Sequence, residues 1–103
     1  MSDFVLTPIA RADLFEIWAY IAEDSETAAD RVEQAIYEAC ASLSSMPLAG
    51  HSRPDLTSLP VRFWNLRRYP NFMIVYRPET RPVQIVAVLH GKRNIERILT
   101  QRG

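Results

Sequence analysis

A polar cluster follows the last apolar run of the chain and carries the residue types best suited to chemistry. The run Val83–Leu89 leads directly into His90, Lys92 and Arg93. A histidine can exchange a proton near neutral pH, and the two cations can bind a phosphate or a carboxylate. A polar group at the end of a rigid apolar strand is well placed for function. We expect His90, Lys92 and Arg93, with Arg68 nearby, to bind a target, and we consider catalysis by His90 the lesser alternative.

Two adjacent arginines precede this cluster in the chain. The pattern predicts a strand through Arg67 and Arg68, which would point their side chains to opposite faces of a sheet. Arg68 would then share a face with Trp64. The alternative is that these arginines pair with acidic helices. The only other histidine, His51, lies in a loop, and its spacing from His90 predicts no metal site.

The charges of the chain are unevenly distributed. The 12 basic and 12 acidic residues cancel, but residues 1–40 hold nine of the acids and only two of the bases. Such a split suggests an acidic or polyanionic partner for the C-terminal part. Pairing between an acidic helical face and a basic sheet explains the split equally well.

Length and composition limit the class of protein. A chain of 103 residues with 48% hydrophobic residues is expected to form one globular domain, residues 1–103. The single cysteine, Cys40, excludes an intramolecular disulfide and fits a reducing cytosol. No apolar run approaches the length of a membrane span, so we expect a cytoplasmic protein without membrane contact. Nothing in the pattern calls for a cofactor.

The first half of the chain reads as a short strand and two helices. Phe4–Leu6 is apolar, and Thr7 with Pro8 is a typical helix start. The first helix has an apolar stripe of Ile9, Leu14, Ile17, Trp18 and Ile21, with its acids off that stripe. Ser25 caps a second helix, whose stripe is Ala28, Val32, Ala35, Ile36, Ala39 and Leu43. Pro47 ends it, and the two helices should form an antiparallel hairpin.

The second half reads as a sheet. After a long loop, residues 47–60, three β-rich runs are separated by turns at Tyr69–Asn71 and Pro78–Pro82. A short final helix follows, with Ile95, Ile98 and Leu99 facing inward. We predict an α+β fold in which the N-terminal strand and the two-helix antiparallel hairpin pack on a mostly antiparallel sheet with a C-terminal three-strand meander and a short terminal helix.

This order of elements, with three short motifs, resembles the ParE toxins of the RelE/ParE superfamily. The motifs, in their order along the chain, are Ala28–Arg31, Met46–Gly50 and Val86–Arg93. The resemblance implies a toxin of a bacterial toxin–antitoxin or plasmid stabilisation system, held inactive by a ParD-like antitoxin. ParE-like members poison DNA gyrase, whereas RelE-like members cut mRNA on the ribosome.

Two positions distinguish the branches of the superfamily. RelE-like nucleases carry an arginine two residues before a Val-Tyr pair and a tyrosine six residues after the arginine that follows Gly-Lys. Met73 and Leu99 occupy these positions here, while Arg93 matches the family arginine. Cleavage of RNA needs a proton acceptor, a proton donor and cations, and neither Met73 nor Leu99 supplies one. We therefore expect no enzyme activity.

The resemblance also implies a partner surface. We expect an antitoxin segment to bind an apolar groove that includes Leu14, Ile17, Trp18 and Trp64, with its acidic residues near the arginines. For Trp18, burial in the core is the favoured interpretation. Operator DNA would be bound only through the antitoxin, since this chain shows no helix-turn-helix pattern.

Three functional hypotheses stay open at this point. The first is a toxin that binds and poisons DNA gyrase without being an enzyme. The second is a ribosome-dependent mRNA endonuclease of RelE type that uses Arg93 with His90. The third is a binding module that has lost its toxicity.

Overall fold

Three helices and four strands make up the chain in a computed structural model, which describes residues 4–91 and 95–102. Lys92 and Arg93, predicted to bind the target, lie outside the described residues. The elements in chain order are β1 (Phe4–Leu6), α1 (Pro8–Ala22), α2 (Glu26–Ser45), β2 (Arg62–Asn65), β3 (Phe72–Arg77), β4 (Val83–His90) and α3 (Ile95–Arg102). The predicted order of elements is confirmed.

The two long helices begin at the predicted caps. The Thr7 hydroxyl accepts a hydrogen bond from the Ala10 N–H at 3.1 Å, and Pro8 is the first helical residue. The Ser25 hydroxyl accepts from the Ala28 N–H, also at 3.1 Å. Each cap satisfies a backbone donor that has no partner inside its helix. The boundaries of the hairpin are thus set by local sequence.

The sheet has the order β1-β4-β3-β2. β4 pairs antiparallel with β3, and β3 pairs antiparallel with β2, whereas β1 runs parallel to β4. The sheet is therefore mostly antiparallel, as predicted. The register between β3 and β4 shifts between Val75 and Tyr76.

Both faces of the sheet are covered, which explains why β3 and β4 are apolar throughout. On one face, α1 and α2 pack on alternate strand residues, and the core includes Leu14, Ile36, Ile74, Tyr76 and Ile85. On the other face, α3 and the loop before β2 cover a second core of Val61, Phe63, Met73, Val75, Val86, Ala87, Leu89 and Leu99. The predicted helical pair lies on one face, and the short terminal helix on the other.

Helix α1 departs from its predicted stripe. Ile9 is 51% exposed and does not belong to the core, whereas Asp13, predicted to lie off the apolar stripe, is buried with only 8% exposure. Apolar side chains also point outward, with Phe15 67% and Tyr20 77% exposed. A surface helix that is apolar on more than one side still has apolar area to cover. Among the described residues, no helix is long and apolar enough to cross a membrane.

Candidate binding surfaces at one end of the sheet

Strand β4 has a neighbour on its outer edge for only part of its length. Its first three residues, Val83–Ile85, pair with β1, and the Thr7 N–H donates to the Ile85 carbonyl at 3.0 Å. There the chain turns away into α1. Within the described residues, no strand lies beside the outer edge of β4 from Val86 onward.

Two charged side chains take the place of the missing strand. The Asp13 carboxylate accepts from the Val88 N–H at 3.0 Å, and Arg102 Nη1 donates to the Val86 carbonyl at 3.2 Å. The same two side chains form a two-point ion pair, at 2.6 and 2.8 Å. The pair joins α1 on one face of the sheet to α3 on the other. It satisfies edge groups that would otherwise be left unpaired.

A groove of about 450 Å³ lies next to this ion pair. Helix α1 forms one wall, and the ends of β3 and β4 form the other. Its lining is largely apolar but includes two carboxylates; the residues are Asp13, Glu16, Ile17, Tyr20, Ile21, Phe72, Val88 and His90. A groove of this kind suits a segment with apolar side chains and a positive charge.

His90 lies at the mouth of this groove. It is exposed, and its ring packs edge-on against Phe72 with a centroid distance of 5.2 Å. Its backbone is held in register by the pairing of β4 with β3. Among the described residues, no carboxylate forms an ion pair with His90. The arrangement resembles a binding surface more than an acid–base centre, which needs an orienting partner.

The strand prediction for Arg67 and Arg68 is wrong. Strand β2 ends at Asn65, and both arginines are exposed in the loop of residues 66–71. The Asn65 amide donates to the Pro70 carbonyl at 3.1 Å, and the Leu66 N–H donates to the Phe72 carbonyl at 3.0 Å. These bonds close a wide loop instead of a tight turn. The two arginines therefore do not alternate between the faces of the sheet.

This arginine loop lies at the same end of the sheet as His90. The Gly91 N–H donates to the Asn71 carbonyl at the end of the loop, and His90 is opposite Phe72 in the sheet. The Arg67 guanidinium lies 5.8 Å from the centre of the Trp64 ring. Among the described residues, neither Arg67 nor Arg68 forms an ion pair with a carboxylate. The alternative, that Arg67 and Arg68 pair with the acidic helices, is not observed among the described residues.

The residues predicted to contact the antitoxin are not on one surface. Leu14 is buried in the core beneath α1, so a partner cannot reach it while the fold is intact. Ile17 is half-buried in the groove. Trp18 is also half-buried, and its indole N–H donates to Asp30 on α2 at 2.9 Å. Trp64 lies in β2, at the opposite edge of the sheet from β1, and packs partly on the core.

The edge of β2 is closed by the loop that precedes it. The backbones of His51 and Phe63 exchange two hydrogen bonds of 2.8 Å. The Tyr76 hydroxyl donates to the Pro47 carbonyl at 2.7 Å and accepts from the Gly50 N–H at 2.8 Å. Burial raises the pKa of Tyr76, so the hydroxyl keeps its proton for this bond. The Tyr76 side chain and the backbone of His51 therefore have structural roles.

Cys40 lies in the hydrophobic core. Cys40 is fully buried in α2, and desolvation raises the pKa of its thiol to about 12, so it is the inert core residue that the pattern predicts. Among residues 4–91 and 95–102, no group of histidine, cysteine and acidic side chains is arranged to hold a metal ion.

Comparison with known proteins identifies the family. A family model described as the ParE toxin of the type II toxin–antitoxin system parDE matches residues 4–95. The chain belongs to the ParE toxin family. A solved structure of a chromosomal ParDE toxin–antitoxin system from P. aeruginosa is 27% identical in sequence, with a TM-score of 0.68 over 87% of this chain and 96% of that one. No curated protein matches the chain.

Met73 and Leu99 are the two positions at which the sequence differs from RelE-like nucleases. Both belong to the core between the sheet and α3, where Met73 is 6% exposed and Leu99 is completely buried. The two positions that were compared with RelE-like nucleases are thus occupied by packed, almost fully buried apolar side chains.

Sequence reasoning missed several residues of the groove. Glu16, Tyr20 and Phe72 line it, and Asp13 anchors one wall, yet none of them was predicted as a site residue. One signal was available: Phe15 and Tyr20 make α1 apolar outside its stripe, which favours a partner on its outer side. The pairing of Asp13 with Arg102 gives no local signal, because 89 residues separate them.

Proposed function

We propose that this ParE toxin arrests growth by binding DNA gyrase and stabilising a form that leaves DNA broken, without being an enzyme itself. The observation that carries the proposal is the burial of Met73 and Leu99 in the core. A nuclease of RelE type would use groups at those positions that reach the substrate. Two buried apolar side chains cannot do this, so binding is the activity left to this surface.

The target-binding surface in this proposal is the end of the sheet that carries His90 and the arginine loop. Arg67 and Arg68 are exposed there and form no ion pair among the described residues. Long cationic side chains of this kind are available to a negatively charged partner surface. Lys92 and Arg93 stand two and three residues after His90 in the sequence and add two positive charges to the C-terminal part of the chain.

The antitoxin in this proposal is a ParD-like protein that binds α1 and the groove beside β4. The exposed Phe15 and Tyr20 supply aromatic anchors, which commonly dominate binding energy. Operator DNA is bound through the antitoxin, and the toxin acts in the cytoplasm, where its target works. Antitoxin that covers the groove also reaches His90, so neutralisation and target binding compete at neighbouring surfaces.

A gyrase assay with purified toxin tests the function. We expect the toxin to inhibit supercoiling of plasmid DNA and to produce DNA breaks only when gyrase is present. The Arg67→Ala/Arg68→Ala variant should do both less well, whereas the control variant Arg11→Ala, changed at an exposed position on α1, should match the parent. Unchanged supercoiling together with no gyrase-dependent cleavage would refute the proposal.

A further inference from the structure

The arginine loop holds two guanidinium groups on a fixed backbone. The Leu66 N–H donates to the Phe72 carbonyl, and the Phe72 N–H donates to the Tyr69 carbonyl, both at 3.0 Å. The Arg67 guanidinium also lies over the Trp64 ring, at a distance that permits a cation–π contact. The loop therefore presents its positive charge from a preorganised position, which lowers the entropic cost of binding.

The charge of the loop is left free for a partner. Residues 56–78 contain four arginines and no acidic residue. Arg67 and Arg68 are exposed and form no ion pair among the described residues, whereas several other arginines of the C-terminal half bond within the chain. These bonds join Arg53 to the Asp55 carboxylate, Arg62 to the Gly50 carbonyl, Arg81 to the Pro78 and Thr80 carbonyls, and Arg102 to the Asp13 carboxylate.

The surface around the loop has little of the exposed apolar area that a protein partner needs. Leu66 is buried and Trp64 is half-buried. In the described part of the chain, the large hydrophobic side chains that are exposed lie on β1, on α1 and α2, and just after α2. Protein–protein interfaces have an apolar core, whereas interfaces with DNA are more polar and much more positive. The composition therefore favours a nucleic-acid backbone over a protein surface.

The chemistry of the two arginines suits phosphate. A planar guanidinium donates two parallel hydrogen bonds to a phosphate group. Such contacts do not read sequence, because base recognition needs side chains that reach the base edges in a groove of the duplex. Asp13 and Glu16 line the neighbouring groove beside β4, and their negative charges would repel a phosphate there. We therefore expect a duplex to contact the loop and not that groove.

We propose that the arginine loop binds the phosphate backbone of duplex DNA through Arg67 and Arg68, independently of sequence, and that its ligand is the DNA held by gyrase. The inference rests on the proposed function and specifies that this part of the target-binding surface contacts DNA instead of gyrase itself. It is separate from recognition of operator DNA, which is the role of the antitoxin.

The salt dependence of DNA binding by the purified toxin tests the phosphate contacts. Fluorescence anisotropy of a short labelled duplex of arbitrary sequence gives the binding constant, whose logarithm should fall linearly with the logarithm of the salt concentration. Arg67→Ala/Arg68→Ala should reduce that slope by about 2 and lower the affinity at low salt at least about tenfold, since each phosphate contact contributes about 0.9 to the slope. Arg67→Lys/Arg68→Lys keeps both charges and should keep the slope.

The matched control is Arg11→Ala/Arg31→Ala, which removes the same charge at exposed positions on α1 and α2. It should bind the duplex with the slope of the parent. Circular dichroism shows that each variant is folded. A folded Arg67→Ala/Arg68→Ala variant with the parent's slope would overturn the inference.

A photo-crosslinker in the loop identifies what the loop touches on gyrase that holds DNA. Asn71→Cys leaves both arginines in place, and the buried Cys40 is not available to a thiol reagent. We expect crosslinks to DNA, and none from Gln34→Cys at an exposed position on α2. Crosslinks to a gyrase subunit alone would overturn the inference and leave the proposed function intact. Binding of the duplex through the loop without any poisoning of gyrase would overturn the proposed function, while the phosphate site would stand.

Discussion

The two outer edges of the sheet are covered by different means. At β2, the backbone of His51 exchanges hydrogen bonds with Phe63, so the cover is itself a piece of strand. At β4, β1 ends after three residues, and the side chains of Asp13 and Arg102 continue the cover. At β2 the backbone of the preceding loop lies against the strand edge, whereas a groove lies beside the part of β4 that side chains cover. We therefore expect the β2 edge to contribute mainly to stability and the groove beside β4 to be the more available for binding.

The largest effect on stability is expected at the part of the outer edge of β4 that only side chains cover. Asp13→Ala should lower the free energy of unfolding by about 3–5 kcal/mol, because it leaves the Arg102 guanidinium and the Val88 N–H without their partner. Urea denaturation measures the change. Asp24→Ala, at an exposed position after α1, is the control and should stay near the parent. A near-neutral Asp13→Ala would mean that the ion pair does not hold this edge.

The loop that covers the edge of β2 should be destabilised by a larger side chain at Gly50. A Cβ atom on Gly50 would lie 2.6 Å from the Tyr76 hydroxyl and 2.8 Å from the Phe63 carbonyl, so Gly50→Ala should cost about 2–3 kcal/mol. The control is Gly91→Ala, whose nearest neighbour would be the Asn71 carbonyl at 3.0 Å. Thermal and urea unfolding should rank Gly50→Ala as the less stable variant. The opposite ranking would show that the β2 edge is loosely packed.

The hydroxyl of Tyr76 should contribute less to the free energy of unfolding than the two features above. Tyr76→Phe keeps the buried ring but removes the bonds to Gly50 and Pro47, at a cost of about 1–2 kcal/mol. Because burial raises the folded-state pKa of Tyr76, its contribution is complete below the unfolded pKa of about 10 and is lost as pH rises above it. The stability difference between parent and variant should therefore shrink in alkali. Tyr20→Phe, at an exposed tyrosine, is the control and should leave the free energy of unfolding at neutral pH unchanged.

The smallest effect on stability is expected in the arginine loop. Arg68→Ala should change the free energy of unfolding by less than about 0.5 kcal/mol, since Arg68 is exposed and forms no ion pair among the described residues. Growth arrest in cells that express toxin without antitoxin should nevertheless weaken, and weaken further in Arg68→Ala/Arg93→Ala. A folded and fully toxic double variant would place the target surface elsewhere, and an unfolded one would show that these arginines are structural.

The predictable parts of this fold are those with local causes. Thr7 and Ser25 cap helices through bonds within one turn, and the apolar runs of β3 and β4 follow from cover on both faces. The extent of β2 was not predictable in this way. The segment Leu66–Arg68 lacks Gly, Pro and Asn, and its loop is closed by a bond to Phe72.

The candidate site was less predictable than the fold. His90 was identified from its position after an apolar run, and the structure places it at the groove. The partners that shape the groove come from elements far apart in sequence, as Asp13 and Arg102 show. Helical periodicity could place Leu14 in an apolar stripe but could not show that the core covers it completely.

We propose that this ParE toxin acts on gyrase and not on mRNA. Cells arrested by the toxin should be analysed for both lesions in one culture, by mapping mRNA ends and by measuring DNA breaks with wild-type and with toxin-resistant gyrase. We expect intact mRNA and DNA breaks that disappear with resistant gyrase. Cuts within translated codons, abolished by Arg93→Ala and accompanied by unbroken DNA, would contradict it.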